Sequence, residues 1–379
     1  MFKQSLLEEV LGCALSSGGD FAELYGERTH NNTIQMVDGK IDKVCDNFLS
    51  GVGVRVFSGL RTVYACTTDL TREGLLACAR SAAQALAGIR EAGSVSLTRR
   101  DVRDIHPVKF NPTDPENKRR CEVLKAACFA AKEHDPVISQ VQGTFIGVDH
   151  AILVANSEGL LTEDRHVRTR LVVSAVASEG GENQSGFCAP GRGMGLEMFE
   201  LFDPKEIGIH AARQAVVNLR AGYCPAGQMT VAIENGFGGV IFHEACGHSL
   251  EATQVGVGMS EMCGKLGQKV ANEKITAIDD GTIPGAWGSV NIDDEGNPTQ
   301  RNVLIEGGVL KNYMIDRLGS RRMGMPMTGN SRRQGYSFEP TSRMTNTFID
   351  NGPDRNEDII SSIEYGLYAK KWAADRSTL

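Results

Sequence analysis

Apolar and polar residues alternate along the early part of the chain, between Ala22 and Thr67, with Gly, Asn and Asp separating the runs. A period of two is typical of β-strands that bury one face. The dipeptides Asp38-Gly39 and Ser58-Gly59 favour hairpin turns between consecutive strands. The pattern therefore predicts an antiparallel sheet in this region.

Segments with apolar residues at helical spacing lie before and after these strands, and a second set of strands follows. The predicted helices are Ser5–Ala14, Thr71–Leu86 (with Thr71 as N-cap), Glu116–Glu133 and Lys205–Leu219. The further predicted strands are Val137–Phe145, Asp149–Asn156, Leu160–Ser178 and Glu182–Cys188, and Ser94–Pro115 is a predicted surface loop. Both halves of this region share one layout, so duplication is a hypothesis, although no sequence repeat is visible.

The sequence changes character after Tyr223-Cys224-Pro225. A short strand is predicted at Gln228–Ile233, a helix at Gly238–Ala252, and strand-and-turn structure over Val270–Asn346. We therefore expect an α+β fold with two domains. Residues 1–222 would form an N-terminal domain of helices and antiparallel sheets, and residues 223–379 a β-rich domain that carries the helix 238–252.

Composition narrows the class of protein. The 379 residues are 41% hydrophobic and 23% charged, which is typical of a globular protein with a substantial core. The net charge of −7 and the absence of a long basic block argue against nucleic-acid binding. The sequence contains no run of about 18 apolar residues, so it predicts no membrane-spanning helix. Glu8 and Glu9 interrupt what would be a signal-peptide core, so we expect a cytoplasmic protein.

The candidate chemistry lies in the segment FHEACGHSL, Phe242–Leu250, which contains the pattern HExxxH formed by His243, Glu244 and His248. The zincin pattern HExxH spaces its two histidines four residues apart on one helical face. A spacing of five rotates the second ring by about 140° in a regular α-helix. Both rings could reach one zinc ion only if the helix widened or broke, and Gly247 is where we expect this distortion.

Two readings of this pattern stay open on the residues alone. In the functional reading His243 and His248 bind zinc, and Glu244 is the general base that deprotonates the water that zinc activates. In the structural reading the pair is a chance spacing on a buried helix. Cys246 and Cys263 could be ligands, but a cysteine in a reducing compartment is more often a small buried group.

Beyond the motif, the chain resembles the TldD/PmbA family of zinc metallopeptidases over about residues 1–371. The resemblance rests on FHEACGHSLEA, on DGKIDKVCDNFLSGVGVRVF, on the arginine- and asparagine-bearing segment Leu318–Ile349, and on Ile359–Lys371, which resembles the helix that follows in the family. It implies a zinc-dependent peptidase of the TldD-like catalytic type that hydrolyses small or unfolded peptides. It also implies a homodimer, or a heterodimer with a non-catalytic TldE/PmbA-like sister subunit.

The same resemblance implies a third zinc ligand, a cysteine, beyond the point where this chain stops. It therefore implies that residues 223–379 are a metallopeptidase domain that is incomplete in this chain. Family members continue from YAKK into a sequence like MGGGSVNP, and reading codons for it one base later gives WAADRSTL, the residues 372–379 found here. We therefore expect a one-base deletion or sequencing error near codon 372, which the downstream DNA would test. A chain that ends at Leu379 is expected to bind zinc weakly and to show little activity.

The sequence leaves open how a substrate would be bound and which alternative function is possible. A peptide would be held as an added strand, and arginines among Arg317, Arg321, Arg322, Arg332 and Arg333 could bind its carboxylates or could instead form ion pairs. Asn330 and Asn346 could form turns or bind backbone. The alternative function is a non-catalytic interaction subunit with a vestigial metal site. Modulation of DNA gyrase, which the family's historical name implies, gains no support from the acidic charge.

Overall fold

The structure is a computed structural model that describes residues 2–86, 94–114 and 118–370, without the side chain of Phe237. The chain forms two compact units, which are described separately below. Unit 1 contains residues 1–222, 283–296 and 333–340, and unit 2 contains the remainder. The predicted boundary at residue 222 coincides with the end of the first segment of unit 1, while the division into functional domains stays a prediction. Residues 372–379, where a reading-frame error is predicted, lie outside the described residues.

Unit 1 is built on an eight-stranded sheet with helices on one face. Its first half contains α1 (Gln4–Ala14), β1 (Phe21–Val37), β2 (Lys40–Ser58), β3 (Arg61–Thr67) and α2 (Arg72–Ala85). Its second half contains β4 (Thr98–Arg99), α3 (Arg119–Glu133), β5 (Ile138–Asn156), β6 (Leu160–Glu179), β7 (Glu182–Cys188), β8 (Gly191–Arg192) and α4 (Pro204–Arg220). The main strand order is β3-β2-β1-β5-β6-β4, with β7 and β8 also pairing with β6. The two halves thus repeat one layout within one sheet.

Long antiparallel strands dominate this sheet. The Asp38-Gly39 turn joins β1 to β2 as predicted, and Thr71 caps α2 by accepting a hydrogen bond from the Gly74 N–H. The second hairpin turn falls at residues 59–60, one position later than predicted. The predicted break between residues 145 and 149 is wrong, because β5 runs through it. Gly147 stays in the strand, where a side chain would meet Pro112.

Two separate apolar cores lie on the helix-covered face. One core packs α1 and α2 against residues such as Leu24, Val54 and Leu153, towards one end of the strands. The other packs α3 and α4 against residues such as Ile34 and Phe145, towards the other end. Burial of these side chains removes apolar surface from water and stabilises unit 1. The helices therefore form two layers that cover the two ends of the same long strands.

The opposite face of the sheet is covered by the two late segments, 283–296 and 333–340. Arg333 bonds Glu23 there, and both side chains are fully buried. Arg55 contacts Glu23 at 3.2 Å and also bonds Glu295. Arg333, one of the arginines considered for substrate binding, therefore forms a buried ion pair instead.

Unit 2 consists of short strands and short helical segments. They are β9 (Thr230–Ile233), α5 (Val240–Phe242), α6 (Ala252–Val255), β10 (Ala277–Asp280), β11 (Arg301–Glu306), β12 (Val309–Leu310), α7 (Arg317–Met323), β13 (Ser331–Arg332), β14 (Thr341–Ser342), β15 (Thr347–Ile349), α8 (Asn356–Ser361) and β16 (Gly366–Ala369). A four-stranded sheet has the order β12-β11-β10-β15, and β13–β14 and β16–β9 form two-stranded sheets. The predicted α+β class with antiparallel sheets is confirmed.

Two local predictions for unit 2 need correction. The residues Ile359–Lys371 do not form one helix, because α8 ends at Ser361 and residues 366–369 pair with β9 as a parallel strand. The helix α7, which Asp316 caps through the Gly319 N–H, was missed inside the arginine-rich segment. Of the two alternatives left open for the asparagines, binding of backbone is the one observed. Asn330 is buried and donates to the Arg343 carbonyl at 3.0 Å and to the Asp279 carboxylate at 2.7 Å, and Asn346 donates to the Asp280 carbonyl at 2.6 Å. Within the described ranges, no helix has the length and apolar character to cross a bilayer.

Candidate metal site

The predicted motif helix, Gly238–Ala252, is not one regular helix. After α5 the backbone widens into a π-helical turn over His243–Gly247, and a 3₁₀ turn follows over His248–Leu250. The N–H of His248 donates to the carbonyl of His243, the i→i+5 bond that defines a π turn. This bond returns the chain to the same side of the helix after five residues. The predicted widening between the two histidines is thus observed.

The role expected for Gly247 is different from the one observed. Its backbone has ordinary right-handed helical angles, φ −57° and ψ −52°, so the π turn does not use its conformational freedom. A Cβ atom at this position would instead collide with the sulfur of Met344. Gly247 is therefore required for close packing of the motif against the core of unit 2.

The π turn brings His243, Glu244 and His248 together. One ligand atom from each of these side chains lies within 4.8 Å of the others. The two imidazole rings meet edge to face, with centroids 4.9 Å apart and an angle of 83° between their planes. His248 Nε2 lies 3.8 Å from a carboxylate oxygen of Glu244, whose side chain is 49% exposed. Two imidazoles and a reachable carboxylate thus converge at a surface open to solvent.

Glu251 is a functional candidate that sequence analysis missed. Its Oε1 atom lies 3.1 Å from His248 Nδ1, and its side chain is almost completely buried. With Nδ1 engaged in this way, Nε2 carries the lone pair of the neutral ring and faces His243 and Glu244. The signal was available in the sequence, because Glu251 lies only three residues after His248.

Neighbouring contacts fix Glu251 in position. The Ala252 N–H donates to the Met314 carbonyl at 2.8 Å, and the Met314 N–H donates to the Leu250 carbonyl at 3.0 Å. Arg343 Nε lies 3.8 Å from Glu251 Oε1. Burial raises the pKa of the Glu251 carboxyl, while Arg343 and His248 act in the opposite direction. The segment that follows the motif is therefore held by backbone pairing as well as by charge.

The electrostatics favour neutral imidazole at the first histidine. Partial burial lowers the pKa of His243, and the nearby His248 and Arg343 lower it further, against the opposing effect of Glu244. A neutral imidazole is the form that binds a metal ion. At neutral pH His243 is therefore ready to act as a ligand without first losing a proton.

The two cysteines near the motif are not part of this group. Cys246 and Cys263 pack against the apolar core of unit 2, and burial raises the pKa of the Cys246 thiol. Cys263 Sγ also lies 3.4 Å from the Val255 carbonyl oxygen. Their arrangement agrees with the structural alternative left open by the sequence.

Comparison with known proteins assigns the chain to a family. Three successive domains of one metallopeptidase family match the chain. They are PmbA/TldA metallopeptidase domain 1 at residues 22–86, the central domain at 110–219 and the C-terminal domain at 226–376. A Haemophilus influenzae relative named metalloprotease TldD homolog is 34% identical over 360 residues, which cover 92% of this chain and 74% of that protein.

Solved structures show the same fold. A proposed modulator of a DNA gyrase from Thermotoga maritima matches with a TM-score of 0.78 and 21% identity, over 97% of this chain and 82% of the other. TldE from Thermococcus kodakarensis matches with a TM-score of 0.78 and 20% identity, over 97% and 83%. Together with the domain matches and the convergent His-Glu-His group, these findings show that the chain belongs to the TldD/PmbA family of metallopeptidases.

Proposed function

We propose that this protein is a zinc-dependent peptidase in which His243 and His248 hold the metal and Glu244 transfers protons. The observation that carries the proposal is the π turn, which brings together two histidines that a regular helix would separate. A backbone distortion of this kind is often found at functional sites. Membership of a metallopeptidase family supports the same chemistry.

The donor set fits zinc. Imidazole nitrogens are ordinary zinc ligands, and the open solvent side of the group leaves space for a water or a substrate. Glu251 resembles the carboxylate that commonly binds the second nitrogen of a metal-ligating histidine and fixes the ring. The family resemblance further implies a cysteine as third ligand, and no cysteine within the described ranges joins the group.

Glu244 has the position and the freedom that a general base needs. Its side chain is half exposed and follows directly after the first proposed ligand, and its polar contact to His248 is long, at 3.8 Å. When bound, zinc supplies a Lewis acid that lowers the pKa of water to near neutrality and polarises a peptide carbonyl. Glu244 would accept the proton from the attacking water and pass it to the amine leaving group.

The strand β15 offers a route for substrate binding. It is the last strand in the order β12-β11-β10-β15, and it lies against α5 and the π turn. Within the part of the chain that the structure describes, no strand pairs with its outer edge. An extended peptide could add to this edge and so reach the histidines, which supports small or unfolded peptides as substrates.

Partner and location complete the proposal. The structural similarity to TldE supports assembly either with a TldE/PmbA-like sister subunit or as a homodimer. All ten cysteines are free, which supports a reducing compartment such as the cytoplasm.

The test combines metal binding with hydrolysis. Wild type, His243→Ala, His248→Ala and Glu244→Gln are titrated with zinc, with and without a sister subunit, and assayed on an unfolded peptide. Each is prepared both as the 379-residue chain and with the reading frame restored beyond codon 372. We expect Glu244→Gln to keep zinc binding but to lose on the order of 10²–10⁴-fold in rate. Both histidine variants should lose zinc binding, and Glu261→Gln, at an exposed position, is the control.

Two outcomes would contradict the proposal. Equal zinc binding by wild type and both histidine variants would show that His243 and His248 are not the metal ligands. Zinc binding without hydrolysis at saturating zinc, in both arms and with the reading frame restored beyond codon 372, would favour the non-catalytic interaction subunit.

A further inference from the structure

A belt of polar residues crosses the helix-covered face of the unit 1 sheet, between the two helix layers. The strand register defines two neighbouring rows on this face. One row contains Ser50, Arg28, Ala151 and Arg165, and the next contains Phe48, His30, Asp149 and Val167. Side chains directly opposite each other in such rows are separated by about 5 Å. The polar belt thus separates the two apolar cores of the helix-covered face.

The belt borders two adjoining cavities. One has a volume of about 750 Å³ and the other about 630 Å³, and both are lined by Arg28, Ala151 and Arg165. The small side chain of Ala151 leaves space between the two arginines. The combined space is large enough for a small organic molecule.

Most charges around these cavities are already paired. Arg165 forms two bonds with Asp149, at 2.7 and 2.6 Å, and Asp149 also accepts from Asn111 at 2.8 Å. Arg99 bonds Glu163 at 2.5 Å, and Asp164 bonds His166 and Asn291. Asp104 accepts from the His106 N–H at 2.8 Å, and Asp101 is 97% exposed.

Arg28 differs from these residues. Its side chain is exposed in the middle of the polar belt, and among the described residues it has neither an ion pair nor a hydrogen bond. Arg100, at the rim of the larger cavity, has no such side-chain partner among them either. Two guanidinium groups are therefore available to an external anion, and a planar fork of N–H donors suits carboxylate and phosphate.

An apolar platform lies beside Arg28. The Phe48 ring stacks on the His30 ring with centroids 4.0 Å apart and an angle of 18° between the planes. The Asp46 carboxylate lies 2.9 Å from His30 Nε2 and fixes the His30 ring, whereas Phe48 is 75% exposed. An exposed aromatic ring of this kind offers its face and edge to a second flat group.

We propose that the polar belt is a binding site for an organic anion, with Arg28 binding its carboxylate or phosphate and Phe48 contacting a planar apolar group attached to it. The site lies within unit 1 and uses none of the residues of the metal site. It is therefore independent of the proposed peptidase reaction.

The test measures binding of defined probes by calorimetry. N-acetyl-L-phenylalanine represents the carboxylate source and phenyl phosphate the phosphate source, while N-acetyl-L-phenylalanine amide and inorganic phosphate each lack one half of the ligand. We expect the wild type to bind at least one of the first two probes. Arg28→Ala should weaken that binding about 10-fold or more, and Arg28→Lys should weaken it less. Phe48→Ala should also weaken it, and Arg61→Ala, an exposed arginine outside the cavities, should not.

The Arg28 side chain is exposed and has no hydrogen bond or ion pair among the described residues, so its variants are expected to fold normally, and circular dichroism verifies this. The proposal is overturned if the wild type binds neither anionic probe. It is also overturned if the amide binds as tightly as the acid, if inorganic phosphate binds as tightly as phenyl phosphate, or if Arg28→Ala binds like wild type.

Discussion

His248 Nδ1 lies 3.1 Å from Glu251 Oε1, so a buried carboxylate orients one of the two proposed metal ligands. A proton held on Nδ1 by this contact leaves the lone pair on Nε2, the nitrogen that would bind the ion, and the carboxylate fixes the orientation of the ring. The position of Glu251 is itself fixed by the pairing of residues 250–252 with Met314. The metal site therefore depends on a residue that lies outside the HExxxH pattern.

The first prediction concerns this carboxylate. Glu251→Ala removes the partner of Nδ1, and we expect zinc affinity to fall by about 10–100-fold, as for other carboxylates behind metal-binding histidines. Glu251→Gln keeps an acceptor oxygen and should lose less. Zinc affinity is measured by competition with a chelator, and Glu261→Gln is the control. Unchanged affinity in Glu251→Ala would show that His248 is oriented by something else.

The second prediction tests the packing of the π turn. Gly247→Ala places a methyl group where the Met344 sulfur lies, and overpacking of this kind costs about 1–3 kcal/mol. We expect lower stability and weaker zinc binding, because the turn must shift. Gly239→Ala has open space around the new methyl group and serves as the control.

A double variant makes this prediction specific. Shortening Met344 to Ala in the Gly247→Ala background removes the collision, so zinc binding should recover relative to Gly247→Ala alone. Strictly additive effects of the two substitutions would mean that the two side chains are not coupled.

The third prediction concerns the buried ion pair of unit 1. Arg333→Met leaves Glu23 buried with one cationic partner fewer, and the free energy of unfolding should fall by about 3–5 kcal/mol. Combining it with Glu23→Gln should restore part of the loss, since the uncompensated charge is then removed. Urea unfolding measures both variants, with the exposed Arg80→Ala as reference. A loss below about 1 kcal/mol in Arg333→Met would contradict the assignment.

The fourth prediction is a pH dependence of stability. Burial raises the pKa of Asp164, but its bonds with His166 and Asn291 outweigh burial and lower the pKa to about 2. A depressed folded pKa stabilises the protein above the unfolded value of about 3.9, and this stabilisation is lost as the pH falls towards 2. We expect wild type to lose roughly 2 kcal/mol more than Asp164→Asn between pH 5 and pH 2.

Urea unfolding at several pH values checks this difference. Asp101→Asn, whose side chain is almost fully exposed, should follow the wild-type curve. Parallel curves for wild type and Asp164→Asn would show that the carboxylate is not stabilised in the folded protein.

Much of unit 1 followed from periodicity, because its strands bury one face and its helices have clear apolar stripes. The strand β7 was predicted with both ends correct, and β6 to within one residue. Periodicity could not show that β5 continues through Gly147, since glycine there reflects the close approach of Pro112 rather than a turn. Similarly, residues 366–369 become a strand only because β9 lies beside them.

The convergence of His243, Glu244 and His248 was predictable from the sequence, but the contacts that support these side chains were not. The spacing of His243 and His248 required a distorted helix, and the distortion is present. The spacing could not show that the i→i+5 bond produces it or that Met344 excludes a side chain at position 247. The importance of Glu251 depends on its burial and its bond to Nδ1, which are tertiary properties.

The late segments 283–296 and 333–340 also constrain how the protein can be made. A ribosome that has produced the first 222 residues has supplied every strand of the large sheet, but not the segments that cover its second face. Until residue 340 has emerged, Glu23 lacks Arg333, and Tyr25 lacks the cover that Ile292 and Tyr336 provide. One face of the sheet therefore stays uncovered while more than a hundred further residues are translated, and the nascent chain is exposed to aggregation through that face during this time.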